Sequence, residues 1–266
     1  MGTFSKNPII HWDNNLSTPF EQKLITEEPL SIRIDGKPYS VIMRTPGDEL
    51  AHAAGFCLAE GVVDTLNDIN TLSCCEDIDS NVVTITLEES RKDKISDLLE
   101  RRGYISQSSC GICGKEIVDD LYQTIQPVSD ETKVEANIAF DLLESLSLHQ
   151  PLREKTLASH AAALYSADFE LLSVAEDVGR HNALDKAIGK LFLGRKLHKA
   201  SLLILSSRIS YELVQKAARA NIPIIFAISR PTSLAIELAS NLNIAIACLG
   251  HDSGLLIFCG EHRLKQ

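Results

Sequence analysis

Cys110-Gly111-Ile112-Cys113-Gly114 places two thiols three residues apart in a glycine-rich stretch. Thiols at that spacing can close on each other, on a metal or on a sulfur donor. Gly111 and Gly114 permit backbone turns that other residues resist. A helix beginning near Lys115 would favour a thiolate at Cys113, and Lys115 adds positive charge. The thiolate is the form that attacks a persulfide or a disulfide. In a reducing compartment a CxxC pair points to redox chemistry or metal binding rather than to incidental cysteines. Structural zinc needs two further ligands; Cys74-Cys75 could supply one or both, although adjacent residues ligate one ion poorly. A thioredoxin-like arrangement would put the motif after the first strand of a βαβ unit, which is not its place here.

A second set of residues suits anion binding. Glu176-Asp177-Val178-Gly179-Arg180-His181-Asn182 follows an apolar run, as do Ser206-Ser207-Arg208 and Ser229-Arg230-Pro231-Thr232-Ser233. Each leads into a helical pattern, so each offers free backbone N–H groups at a helix start. Arg208 and Arg230 supply planar forks of donors, and Ser229, Thr232 and Ser233 supply short hydroxyls, for a phosphate or a guanine base. Capping alone would account for Thr232 or Ser233, and a solvated helix start would account for much of 177–186. His160, among small residues at an expected helix start, is equally a packed side chain or a ligand contact. Cys57 and Cys248 fall in apolar patterns and read as core. Cys259 reads as part of an edge strand.

The elements that must position these groups follow from periodicity. Residues 1–26 are expected as an irregular arm. Residues 30–34 and 39–44 alternate apolar and polar around Asp35-Gly36, a hairpin signal. Thr45 is expected to cap a helix with Pro46 at its first position, stopped by Gly61. A strand over 81–87 and a charged helix over 91–102 complete a small α+β lobe over 27–103. Residues 104–135 read as the CxxC loop, a helix over 115–123 and a polar connector. From 136 to 266, a helix over 140–148 precedes strand and helix patterns in alternation. Strands are expected at 170–175, 201–205, 223–228, 244–249 and 255–259, and helices at 157–165, 181–193, 210–220 and 233–242. That alternation predicts a three-layer α/β domain with a largely parallel sheet. Ligands of such sheets bind beyond the carboxyl ends of the strands.

Bulk properties narrow the class. The 266 residues are 44% hydrophobic, 23% charged and 5% aromatic, with a net charge of −10. An acidic average argues against general nucleic-acid binding. No apolar run reaches the length of a signal peptide or a membrane span, so a cytoplasmic location is expected. Seven cysteines, an odd number, argue against a disulfide framework.

The blocks at 45–61, 108–116, 159–164, 176–189, 206–239 and 255–260 together resemble the FdhD family of formate dehydrogenase accessory sulfurtransferases. CGxCGK (110–115) and DVGRHNALDK (177–186) are the specific blocks, and the likeness runs from about residue 28 to the end. The resemblance implies a sulfur carrier that takes persulfide sulfur from a cysteine desulfurase. It implies delivery to the bis(molybdopterin guanine dinucleotide) molybdenum or tungsten cofactor, bound as substrate, for formate dehydrogenase as client, with no intrinsic metal. By that match Cys110 bears the persulfide and Cys113 assists transfer. Leu255, Leu256, Ile257, Phe258, Cys259 and Gly260 match a cofactor-binding stretch, and His160, Arg180, His181, Arg208 and the 229–233 loop would hold the nucleotide arms. A homodimer and a cytidine-deaminase-like larger domain are implied as well. The deaminase reaction itself needs His-x-Glu and a later Pro-Cys-x-x-Cys, whereas here alanines follow His160 and the CxxC precedes it. Two other functions stand beside this one: a non-catalytic chaperone that shields the cofactor during insertion, and a zinc-dependent hydrolase.

Overall fold

A computed structural model describes residues 2–75, 79–101, 125–250 and 254–265. The CxxC loop and the helix expected at 115–123 lie outside the described residues. Among those described, the chain is a mixed α/β protein.

The first 26 residues are not irregular. β1 (Phe4–Asp13) and β2 (Leu16–Ile25) pair antiparallel as a hairpin. Asn14 and Asn15 both take positive φ, 44° and 70°, which a two-residue turn of this hand requires. Pro8 and Pro19 break the strand pattern in sequence and hid both strands.

β3 (Glu28–Ile34), β4 (Lys37–Arg44), β5 (Ile69–Cys75) and β6 (Asp79–Leu87) form a four-stranded sheet in the order β4-β3-β6-β5. Leu30, Ile32, Val83, Ile85 and Leu87 bury one face of it. α2 (Glu89–Arg101) follows β6. α1 (Glu49–Ala59) starts later than the sequence suggested. Asp48 is its N-cap residue in a left-handed conformation, and Thr45 is turned instead toward Asp177 and Val178. Gly61, at φ 73°, ends the run as expected.

The larger sheet has six strands in the order β13-β12-β11-β10-β8-β9. These are β8 (His160–Tyr165), β9 (Leu171–Asp177), β10 (Leu202–Leu205), β11 (Ile224–Ala227), β12 (Ala245–Leu249) and β13 (Leu255–Cys259). Only β10, β11 and β12 run parallel; β8, β9 and β13 run against their neighbours. The sheet is therefore mixed rather than largely parallel. The helix expected over 157–165 is strand β8, whose alanines Ala161, Ala162 and Ala163 are buried on the two faces of the sheet interior.

Side chains alternate across this sheet. Leu203, Leu205, Ile225 and Ile246 face α5 (Arg180–Leu193), α6 (Tyr211–Arg219) and α7 (Ser233–Asn241). Leu202, Ile204, Ile224 and Phe226 face α3 (Ala136–Ser145). α4 (Pro151–Thr156) precedes β8, and the short β7 (Val134–Glu135) pairs with β14 (Leu264–Lys265). The first of these clusters also contains Leu30, Ile32, Val83 and Ile85, so the two sheets share one hydrophobic core through α1. α1 and α5 touch backbone to backbone. A Cβ on Gly55 would lie 1.9 Å from the Asp185 carbonyl oxygen, and one on Gly189 would lie 1.8 Å from that of Ala51. No residue but glycine fits either position.

Candidate functional site

Strand directions bring the expected ligand residues to one edge of the six-stranded sheet. β10, β11 and β12 end there at Leu205, Ala227 and Leu249. β9 ends there at Asp177, and β8, running the other way, begins there at His160, which pairs with Asp177. Hydrogen bonds stitch the loops together. Ala161 N donates to Ser206 Oγ at 2.8 Å, and Ile228 N to the Leu205 carbonyl at 3.0 Å. Thr232 N donates to the Ile209 carbonyl at 3.0 Å, and Ile209 N to the Arg230 carbonyl at 3.3 Å.

The individual groups differ in what is left over for a ligand. Arg208 is exposed. Arg180 opens α5, and its buried Nε has no hydrogen-bond partner among the described residues. Such an orphan donor is costly unless something accepts from it. His160 is half-buried. Burial first, then the Arg180 and Arg153 guanidiniums, hold its imidazole below the usual range, so it is neutral at pH 7 and can both donate and accept. His181 Nε2 lies 3.0 Å from Ser210 Oγ and 3.4 Å from Glu212 Oε2. The His181 ring brings the Glu212 carboxyl down to about 2.

Other expected contacts are committed internally. Arg230 Nη1 donates to the Leu249 carbonyl at 2.5 Å and so ties two loops together. Thr232 caps α7 by accepting from Ala235 N, and Ser233 is the first residue of that helix. Ser229 is half-buried beside them. β13 runs away from the site: Leu255 pairs with Leu249 at the loop edge, but Cys259 pairs with Ile246 and Gly260 lies against Ala245 at the far end. Leu255 and Leu256 reach the edge, and Ile257, Phe258, Cys259 and Gly260 lead off from it. Phe258 and Cys259 pack against the core.

Sequence reading missed a polar network beneath this edge. Asp177 is fully buried. Its Oδ2 accepts from Thr45 N at 3.0 Å and pairs with Lys186 Nζ at 2.7 Å, while its Oδ1 accepts from Gly179 N and Asn182 Nδ2. Lys186 also donates to the Thr45 carbonyl at 2.6 Å. One turn away, Asp185 is buried against Lys216 Nζ at 2.8 and 2.9 Å, and burial pushes its carboxyl up to about 6. Most of the 177–186 block is thus internal framework that presents Arg180 and His181. The clue in the sequence is the spacing: Asn182, Asp185, Lys186 and Gly189 share one helical face.

Two grooves flank residues 45–48. One, of about 740 Å³, is lined by Glu28, Asp48, Glu49, Cys74 and Lys190 among others. The second, of about 300 Å³, is lined by Thr3, Thr45, Lys155, Glu176 and Lys186 among others. Neither includes Arg208 or Arg230.

Cys74 is half-buried and lines the first of these grooves, whereas three other described thiols are poor nucleophiles. Cys57 is buried, burial pushes Cys248 up to about 12, and burial raises Cys259 as well. Cys110 and Cys113 lie outside the described residues. Among the described residues no three His, Cys, Asp or Glu side chains are grouped to hold a metal, and no helix is long and apolar enough to cross a membrane.

Comparison with known proteins gives three findings. A family profile described as the FdhD/NarQ family matches residues 25–265. Proteins named sulfur carrier protein FdhD match over most of both chains. The one from Streptomyces coelicolor is 37% identical over 91% of this chain and 88% of its own, and the one from Sulfurisphaera tokodaii is 39% identical over 90% of each. A crystal structure from Desulfotalea psychrophila, provisionally described as a formate dehydrogenase accessory protein, superposes with a TM-score of 0.78 at 20% identity. It covers 99% of this chain and 100% of that one, and so has the same fold.

Proposed function

Because this chain belongs to the FdhD/NarQ family, we propose that it is a sulfur carrier serving formate dehydrogenase, with Cys110 as the carrying residue. The observation that carries the reading is the match, at 37–39% identity over nearly the whole chain, to relatives named for sulfur carriage. The burial of Cys57 and Cys248 adds to it, since both sulfurs are shut in the core.

The chemistry has two balanced steps. The Cys110 thiolate attacks the outer sulfur of a cysteine desulfurase persulfide. The donor's S–S bond breaks, the desulfurase thiolate leaves with the electron pair, and Cys110 holds a persulfide. Cys113 then attacks the Cys110 Sγ. A Cys110–Cys113 disulfide forms, sulfide departs to the metal of the acceptor, and a cellular thiol reduces the disulfide afterwards. Soft sulfide suits molybdenum or tungsten. The acceptor in this reading is the bis(molybdopterin guanine dinucleotide) cofactor, bound as substrate. Arg180, His181, Arg208 and residues 229–233 hold its anionic arms, with His160 as a neutral hydrogen-bonding group. The sheet with helices on both faces is read as a cytidine-deaminase-like layering turned to binding. The setting is the cytoplasm, where thiols stay reduced.

Incubation with a cysteine desulfurase and cysteine tests this. The Cys110 peptide should gain the mass of about one sulfur atom, and Cys110→Ala should abolish formate dehydrogenase activation while leaving the fold intact. Full activation by that variant sinks the relay. The Arg180 Nε, which has no partner among the described residues, favours a second reading, a cofactor-insertion chaperone. Under it, cysteine loss is mild and loss of Arg180 or Arg208 is severe.

A further inference from the structure

Between Asp185 and Glu212 the chain carries no acidic residue, although it holds 36 of them in all and a net charge of −10. Some cations of that stretch are committed. Lys186 pairs with Asp177 and Lys190 with Asp48. Those that follow α5 are not. Arg195, Lys196, His198 and Lys199 are all exposed, and none forms an ion pair among the described residues.

Cations after a helix commonly serve as its cap, because the last carbonyls want donors and the dipole wants positive charge. Here the backbone does the capping. Gly194 N donates to the Lys190 carbonyl at 3.1 Å, Arg195 N to that of Phe192 at 3.0 Å and Lys196 N to that of Leu191 at 2.8 Å. A 3₁₀ turn over Leu197–Lys199 follows, closed by Ala200 N on the Leu197 carbonyl at 3.0 Å. Leu193 and Leu197 pack against the core and hold the loop down. The basic side chains are left over on a fixed backbone.

Arg195 adds a second observation. It takes φ 54°, the left-handed conformation in which glycine is the usual residue after a helix. Its Nη2 donates to Asn67 Oδ1 at 3.2 Å, which orients the guanidinium and leaves its other donors outward of that contact. The acids beside Asn67 in the chain are engaged elsewhere. Asp64 pairs with Arg91 and Arg219, and Asp68 accepts from the Asp64 and Thr65 N–H groups.

We propose that Arg195, Lys196, His198 and Lys199 form a docking patch for an acidic peptide segment of a protein partner. Charge complementarity calls for an anionic occupant, and size selects a short one. At about 2 Å per residue of such a turn the patch is roughly 10 Å long, close to the Debye length of about 8 Å at physiological salt. A nucleic acid runs on past the patch and brings its further phosphates against an acidic body. A few carboxylates begin and end within it. The fixed backbone leaves only side chains to be ordered on binding. The patch also stands apart from the sheet edge. The 14 residues of α5 separate it from Arg180, about 20 Å at the helical rise, so a partner here does not compete with a ligand there.

Fluorescein-labelled hexaglutamate, titrated with the full chain and read by anisotropy, tests this. Binding should saturate and should weaken as salt rises from about 50 to 200 mM. Lys196→Glu/Lys199→Glu should weaken it about tenfold or more, with an unchanged circular dichroism spectrum. Arg195→Gly suits the left-handed turn and should weaken it about threefold or more. The proposal fails if the peptide does not bind at the lower salt, or if both variants bind it as tightly as the parent. It fails as well if a labelled hexathymidylate binds more tightly than the peptide, which would mark a nucleic-acid site.

Discussion

Arg180, Arg208 and Arg230 have the same side chain and three different occupations, and substitution should separate them. Arg180 offers a buried Nε with no partner among the described residues, so Arg180→Ala should weaken binding of GDP, used as a probe, about tenfold or more by calorimetry. Arg230→Ala instead removes a tie to the Leu249 carbonyl and should lower the unfolding midpoint. His160 is neutral at pH 7 because burial and its arginine neighbours hold it down. Binding of the anionic probe should therefore tighten only as the pH falls below its ordinary 6.5, and His160→Gln should remove that inflection. Glu212 titrates in the opposite sense to Asp185. Its carboxyl is held at about 2 by the His181 ring, so its stabilising contribution is complete above about 4.5 and is lost as the pH falls toward 2. Glu212→Gln should flatten that part of the acid unfolding curve.

At the scale of elements, the α1–α5 crossing is the least forgiving contact. Gly55→Ala or Gly189→Ala drives a methyl into a backbone carbonyl and should cost about 1–3 kcal/mol or more, read as a lower urea midpoint at unchanged slope. Between α5 and α6, Lys216→Met would strand the buried Asp185 carboxylate, at a cost of about 3–5 kcal/mol. The double variant Asp185→Leu/Lys216→Met should recover most of it. Asp185 also sets a pH dependence. Its folded carboxyl sits at about 6, above the ordinary 3.8, so this group favours the fold most below 3.8, and that advantage fades as the pH rises through 6. Asp185→Asn should remove this component from stability measured between pH 4 and 7.

Across the whole molecule, the sequence revealed the strand and helix alternation after residue 170 because long apolar runs bounded by Gly, Ser and Asn leave little choice. It misled where small residues abound: the alanines after His160 suit a helix by propensity, yet a sheet interior beneath packed helices selects them for size. Pro8 and Pro19 concealed the N-terminal hairpin, because proline is rarely tolerated within paired strands. The gathering of Arg180 and Arg208 at one edge was foreseeable from strand ends, whereas that of His160 was not, because a helix was expected where β8 begins. The separation of Cys259 and Gly260 from that edge was not, since it follows from the reversed direction of β13. The core that joins both sheets through α1 should make them unfold together, and amides of β3 and β10 should exchange with the same opening energy. Asp177 adds a mechanical corollary to that union. A single carboxylate grips Thr45 with one oxygen and the Gly179–Asn182 turn with the other. Asp177→Ala would therefore loosen in one step both the start of α5, where Arg180 stands, and the 45–48 segment that borders the two grooves.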